Sequence, residues 1–371
     1  SRGIDRIDQV IAEVVRSVRE AGATVFIVPA MGSHGGATPE GQLAVLAGYG
    51  ITPDSMGCEI RSSMDTVELG EVIPGVPVYL DRHAFEGADL IVPVNRIKPH
   101  TGFAGPIESG LMKMIAIGLG KQRGADTFHR RGYDEFAELV PAVARHTMAA
   151  APIGFGVALV EDGLGHLAHV EAIPSDQIEA REAELLTEAR TRMARLPLDR
   201  IDVLVLDLVG KDISGTGMDP NVVGRAKAGS TDAGPRIGRI IVRGLTEASE
   251  GNGNGIGFAD VALRRAVAAV DERITYLNSV TAKALAGAKL PLTVDSDRDA
   301  LAIALASSVQ VTAGEARIVR ARSTKDLSLL LVSEAALHDV LATGRCSLLG
   351  EPRAIRFDEA GMFVDDELAV T

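Results

Sequence analysis

Residues 92–129 read VPVNRIKPHTGFAGPIESGLMKMIAIGLGKQRGADTFH. The stretch opens on the end of an apolar strand predicted over Ala88–Val94. Asn95, Arg96, Lys98 and Pro99 follow, a polar run predicted to leave the sheet. The residue before a proline is steered towards extended backbone, so His100 is delivered on a loop at the strand's carboxyl end. Thr101, Gly102, Ala104 and Gly105 are small enough for backbone to approach a ligand closely. Lys113 then falls in an apolar helical run with Leu111, Met112, Met114, Ile115 and Ile117, and His129 closes the stretch. A lysine there either snorkels to solvent or loses its proton to desolvation and becomes a nucleophile. Strand, ligand-type loop and helix together read as one α/β unit.

The same order appears upstream. Ile4, Ile7, Val10, Ile11, Val14, Val15 and Val18 recur at helical spacing and stop at Gly22. The β-branched run Thr24–Pro29 is a predicted strand, and MGSHGGATPEG (Met31–Gly41) follows it. Thr38 with Pro39 has the form of a helix N-cap and first helical residue. Backbone amides at Gly32, Ser33, Gly35 and Gly36 are placed to cradle a phosphate. The loop lacks both P-loop spacing and a full GxGxxG, so alone it does not specify a nucleotide. His34 lies in it at a strand's carboxyl end, as His100 does, where open α/β sheets bind ligands. His83, His146, His166, His169 and His338 have no accompanying cluster and read as structural or solvated.

Downstream, strands are predicted over Val67–Val72, Val76–Leu80, Ile153–Leu159 and His166–Ile173, with a helix over Phe136–Met148. The long charged helix Ser175–Leu196 ends at Pro197, which sets a domain boundary. A second alternation starts with strand Asp202–Leu208 and the loop GKDISGTGMDPNVVGRAKAG. Strands are expected at Arg239–Gly244, Ala316–Arg322 and Leu327–Val332. Helices are expected at Ala259–Val270, Val280–Leu285, Asp295–Ser308 and Glu334–Ala342, and a hairpin within Pro352–Val364. The fold class is therefore α/β: two α/β domains with largely parallel sheets. The expected limits are 1–197 for the N-terminal domain (its first segment lying upstream of Ser1), 198–348 for the C-terminal domain, and 349–371 for a segment returning to the first.

Composition narrows the chemistry. Thirty-eight lysines and arginines stand against 50 aspartates and glutamates, a net charge of −12. That disfavours a nucleic-acid groove or an anionic membrane surface and leaves a small molecule as the ligand. Two cysteines, Cys58 and Cys346, lack metal-ligand spacing, and no apolar run approaches a membrane span. The expectation is a reduced, cytoplasmic protein.

Four motifs in order, MGSHGGATPEGQ, NRIKPHTGFAGPIESGLMK, GADTFH and SGTGMDPNVVGRAK, resemble the nickel-dependent lactate racemase family and its relatives. The resemblance runs from the first helix into the second domain, and it implies an active site in the cleft between the two domains. It implies a nickel pincer nucleotide, a pyridinium mononucleotide whose ring carbon and two sulfur arms hold nickel. Lys113 would be its covalent attachment point, and His129 the fourth ligand of a square-planar ion, a geometry that suits nickel(II). His34 and His100 would be the acid/base pair, and Gly32, Ser33, Gly35, Gly36 and Gly105 would line the cofactor. The implied reaction is racemisation or epimerisation of a 2-hydroxy acid by hydride transfer through a 2-oxo acid, with enzymes that make the cofactor as implied partners. The chain departs from the lactate enzyme at Pro106, Ile107 and Glu108. Arg2 matches its carboxylate-gripping arginine, while Gly224 and Lys227, with Arg225 close by, stand where its second-domain pocket residues are. A larger or more polar hydroxy acid is the expected substrate, gripped by Arg2, Arg225 and Lys227. Two other classes fit the scaffold: a dehydrogenase or dehydratase with a diffusible nucleotide, and a non-catalytic hydroxy-acid or nucleotide sensor.

Overall fold

The computed structural model describes residues 3–225, 234–282, 284–309 and 311–364. The chain divides into two compact units, Ser1–Met193 and Ala194–Thr371.

In the first unit, β1 (Phe26–Ile27) pairs in parallel with β2 (Glu59–Ile60). β3 (Thr66–Ile73) and β4 (Val76–Asp81) form an antiparallel hairpin. β5 (Val94–Arg96) lies parallel to β6 (Phe155–Glu161), and β7 (Leu167–Pro174) runs antiparallel on its far side. Helices Phe136–Ala150 and Ile178–Arg192 supply Val140, Ala144, Ile178 and Leu185 to the main core, which also takes Leu80, Leu111 and Ile115.

β5 corrects the sequence reading. The predicted strand was Ala88–Val94; the ladder begins at Val94 and takes in Asn95 and Arg96, with only an isolated bridge at Ile91. Both polar side chains have partners. Buried Asn95 donates from Nδ2 to the Gly110 carbonyl at 2.7 Å, and Arg96 pairs with Glu161. A buried polar group is tolerated when it is hydrogen-bonded, which hydrophobic patterning does not register.

The second unit holds a six-stranded sheet ordered β11-β10-β9-β8-β12-β13. The strands are β8 (Arg200–Leu206), β9 (Arg236–Val242), β10 (Val261–Leu263), β11 (Leu292–Val294), β12 (Ile318–Ala321) and β13 (Leu330–Val332). All pairs are parallel except β12–β13. From Ile201 to Leu206 every residue of β8 is buried, as expected of a strand covered on both faces.

Two expectations fail in this unit. The helix predicted over Ala259–Val270 is strand β10 followed by the short helix Arg264–Ala268, because β10 is held between β9 and β11. The helix predicted at Val280–Leu285 is Glu272–Thr281 instead, begun by Asp271, whose side chain accepts from Ile274 N at 2.9 Å. The expected hairpin is present around Asp358–Gly361, with Phe357 bridged to Phe363, and Phe357, Met362 and Phe363 pack against a core of the second unit. Its backbone is tied there: Arg298 N donates to Gly361 O, and Phe363 N to Asp297 Oδ2, both at 3.0 Å.

Candidate functional site

The site is built in the first unit, from the loop after β1 outward. Gly32 N donates to Gly118 O at 3.1 Å, so the His34 loop sits on the turn that follows Lys113. A Cβ on Gly118 would lie 2.6 Å from Ala30 O, and one on Gly35 would lie 2.5 Å from the Gly41 carbonyl carbon. Only glycine permits either approach. Gln42 donates to the carbonyls of Gly32 (2.9 Å) and His34 (3.3 Å) and fixes the loop from behind. Beneath it, fully buried Lys121 pairs with Asp81 at 2.9 Å and donates to Pro29 O. Lys121, the nearest other lysine to Lys113 along the chain, is a structural cation with its donors spent under the loop.

Lys113 ends the short helix Leu111–Lys113, and Met114–Gly118 continues it as one π turn, with Leu119 N bonded to Met114 O at 2.9 Å. π turns recur at functional sites. Burial, with the nearby Lys98 charge, pushes the Lys113 ammonium down to about 8. The start of this helix rests on the carboxyl of Glu182, which accepts from Met112 N at 2.9 Å. Gly110 has no room for a side chain there, since its Cβ would lie 2.3 Å from Glu182 Oε1. Burial raises the Glu182 carboxyl to about 7 against the opposing pull of the Met112 and Leu111 amides.

His129 and His100 are joined through Tyr133. His129 sits in the helix Lys121–Arg131, its ring 6.0 Å from that of Tyr133; the His100 ring is 5.9 Å from Tyr133 and 4.5 Å from Phe103. Burial raises the Tyr133 hydroxyl above its ordinary value. The turn carrying His100 is closed by Glu108, a buried carboxylate that accepts from His100 N at 2.5 Å and Gly105 N at 3.1 Å. Arg190, from the helix Ile178–Arg192, pairs with Glu108 at 2.6 Å and donates to Gly105 O at 3.1 Å.

The segments carrying His34, Lys113, His129 and His100 thus form one connected structure within a single unit. Arg225, in the second unit, pairs with Asp260 at 2.8 Å and donates to Phe258 O at 2.8 Å. Arg2 and Lys227 lie outside the described residues. Glu182 and Tyr133 were not foreseen. Glu182 did leave a signal, a carboxylate one helical turn after Ile178 and one before Leu185 and Leu186 on the apolar stripe.

Among the described residues, no group of three His, Cys, Asp or Glu side chains is placed to hold a metal ion. His129 offers one donor, so a metal here fits only if its other donors come with it. A nickel pincer nucleotide would meet that condition, with the His129 nitrogen, the Lys113 amine and the Ser33, Gly35 and Gly36 amides to hold it.

Fold and site define an α/β protein whose N-terminal unit gathers one depressed lysine and three histidine-bearing segments on glycine-rich turns. Residues 2–138 match the lactate racemase N-terminal domain. A crystal structure of a Thermotoga maritima protein is similar at TM-score 0.47 and 17% identity, covering 65% of this chain. This chain covers 63% of that protein's length. The lactate racemase apoprotein of Thermoanaerobacterium thermosaccharolyticum gives TM-score 0.45 and 14% identity over 85% of this chain and 92% of its own. No curated protein matches the sequence.

Proposed function

We propose that this protein racemises or epimerises a 2-hydroxy acid, using a nickel pincer nucleotide bonded to Lys113. The observation that carries the reading is Lys113 itself, an amine held near 8 by burial, immediately before the π turn that seats the His34 loop. At neutral pH such an amine is partly unprotonated and ready to attack a thioacyl carbon. His129 would bind the nickel, and the Ser33, Gly35 and Gly36 amides the nucleotide's phosphate.

Direct removal of the α-proton from a hydroxy acid would create a dianion beyond the reach of any neutral-pKa base. When bound, the cofactor supplies an acceptor for the C2 hydrogen and its electron pair. The chain's own work is to manage the hydroxyl proton. His34 and His100 are suited to it because an imidazole can hold or release a proton near pH 7. Lys98, beside Lys113, adds positive charge that favours an anionic ligand. The enzymes that make the cofactor are the partners this reading requires.

The test is the mass of the protein co-expressed with those enzymes. A covalent adduct on the Lys113 peptide, lost in Lys113→Ala, is expected. His129→Ala should keep the adduct and lose nickel. An unmodified Lys113 peptide, or full nickel in His129→Ala, overturns the assignment.

A further inference from the structure

His34 and His100 are held by opposite kinds of backbone group. His34 Nδ1 lies 2.7 Å from Met31 O, and a carbonyl oxygen only accepts. Its Nδ1 therefore carries the proton, and in the neutral ring Nε2 is unprotonated. His100 Nδ1 lies 2.9 Å from Gly102 N, and a backbone N–H only donates. Its Nδ1 is therefore bare, and the neutral ring carries its proton on Nε2. The His100 ring cannot turn freely to escape this, because Phe103 stands 4.5 Å away on ring centroids and Tyr133 5.9 Å.

The group that presents Gly102 N–H is the closed turn described above. Glu108 takes the amides at both ends, His100 N and Gly105 N, and Arg190 ties Glu108 to Gly105 O. Within the turn, a Cβ on Gly102 would come 3.1 Å from the Tyr133 ring, so the amide is set by packing as well as by hydrogen bonds. Glu108 is completely buried, and a buried carboxylate with these partners does not swing away cheaply.

We propose that the Glu108–Arg190 clamp is a positioning device that holds His100 as a neutral Nε2–H donor, the tautomer opposite to that of His34. The consequence rests on the racemase reading above. His34 Nε2 takes the hydroxyl proton and becomes imidazolium. The cofactor, when bound, would supply the acceptor for the C2 hydrogen and its electron pair, and the hydroxy acid would become a 2-oxo acid. His100 gives the substrate oxygen a hydrogen bond from Nε2–H and transfers no proton, since a neutral imidazole that lost that proton would be an anion. For His100 to serve as the base, the 100–105 turn must first withdraw Gly102 N–H. The two histidines are thus unequal in the resting protein, and Glu108 sets the inequality.

The experiment reads tautomers directly and needs neither substrate nor cofactor. The full chain, labelled with 15N in histidine, is examined by long-range 1H–15N correlation at about pH 9, where ordinary imidazoles are neutral. His34→Gln and His100→Gln assign the two rings. The expected spectrum has His34 protonated at Nδ1 and His100 protonated at Nε2. In Glu108→Gln the side-chain amide cannot accept from both turn N–H groups, so His100 should shift to a mixture of tautomers while His34 is unchanged. Arg190→Gln should move His100 in the same direction, and provides the check if Glu108→Gln does not fold. Protonated Nδ1 on wild-type His100 overturns the proposal, as does a His100 spectrum indifferent to both folded variants. The racemase reading fails on different evidence, an unmodified Lys113, whichever tautomers are found.

Discussion

At the scale of single residues, two depressed or raised groups make measurable claims. Lys113, pushed down to about 8, should be about one-quarter free amine at pH 7.5, against about one part in a thousand for an ordinary lysine. Brief treatment with an amine-acylating reagent at that pH, followed by peptide mass analysis, should label Lys113 ahead of the exposed lysines. Uniform labelling would remove the case for an activated amine. Glu182 makes a stability claim. Its folded value, about 7, lies above the ordinary 4.5, so the folded state holds its proton more tightly than the unfolded state. That contribution is fully present below about pH 4.5 and is lost as pH rises through 7, on the order of 3 kcal/mol in all. Glu182→Gln, neutral at every pH, should flatten that slope in denaturant midpoints taken from pH 5 to 8. An unchanged slope would mean that Glu182 does not titrate in this range. Lys113 was legible in the sequence because a charge in an apolar run is conspicuous. Asn95 was read as a strand breaker because its partner, the Gly110 carbonyl, lies fifteen residues away and leaves no local trace.

At the scale of elements, the helix Ile178–Arg192 does more than cover a sheet. Glu182 supports the start of the helix bearing Lys113, and two turns on Arg190 closes the turn bearing His100. The sequence displayed this helix as charged and amphipathic, yet which charges point inward depends on contacts some seventy to eighty-five residues away. Lys121 makes the complementary case. Lys121→Ala leaves Asp81 buried without its cation, and breaking such a pair costs about 3–5 kcal/mol. Chemical denaturation should show a loss of that size, and Asp81→Asn a comparable one. A loss under about 1 kcal/mol would show that the pair does not anchor the loop. Short strands were harder to read than helices. β10 has three residues and no alternation, so its identity comes from the neighbours on both sides rather than from its own pattern.

At the scale of the whole molecule, alternating strands and helices made the α/β class legible, and Pro197 lies four residues from the observed division after Met193. The anchoring of the C-terminal hairpin was not legible, because it rests on a buried charge network. Asp297 holds Arg243 by two hydrogen bonds, at 2.7 and 2.9 Å, and accepts from Phe363 N. The Phe363 ring lies under the guanidinium groups of both Arg243 and Arg320. Asp297→Ala should therefore destabilise the second unit by about 3–5 kcal/mol. Thermal unfolding followed by hydrogen exchange should place the loss in residues 194–364 and leave the β5–β6 ladder protected. Equal loss in both units would contradict the separate cores. The central claim, that the first unit moves the C2 hydrogen of a 2-hydroxy acid reversibly, is tested most directly by isotope. A panel of single-enantiomer 2-hydroxy acids, each carrying deuterium at C2, is incubated in ordinary water with protein co-expressed with the cofactor-making enzymes. The products are then resolved by chiral chromatography with mass detection. The account predicts that at least one acid yields its opposite enantiomer or epimer with the deuterium still at C2. Inversion with the deuterium washed out to solvent, or no inversion of any acid by protein whose Lys113 adduct and nickel are verified, would contradict it.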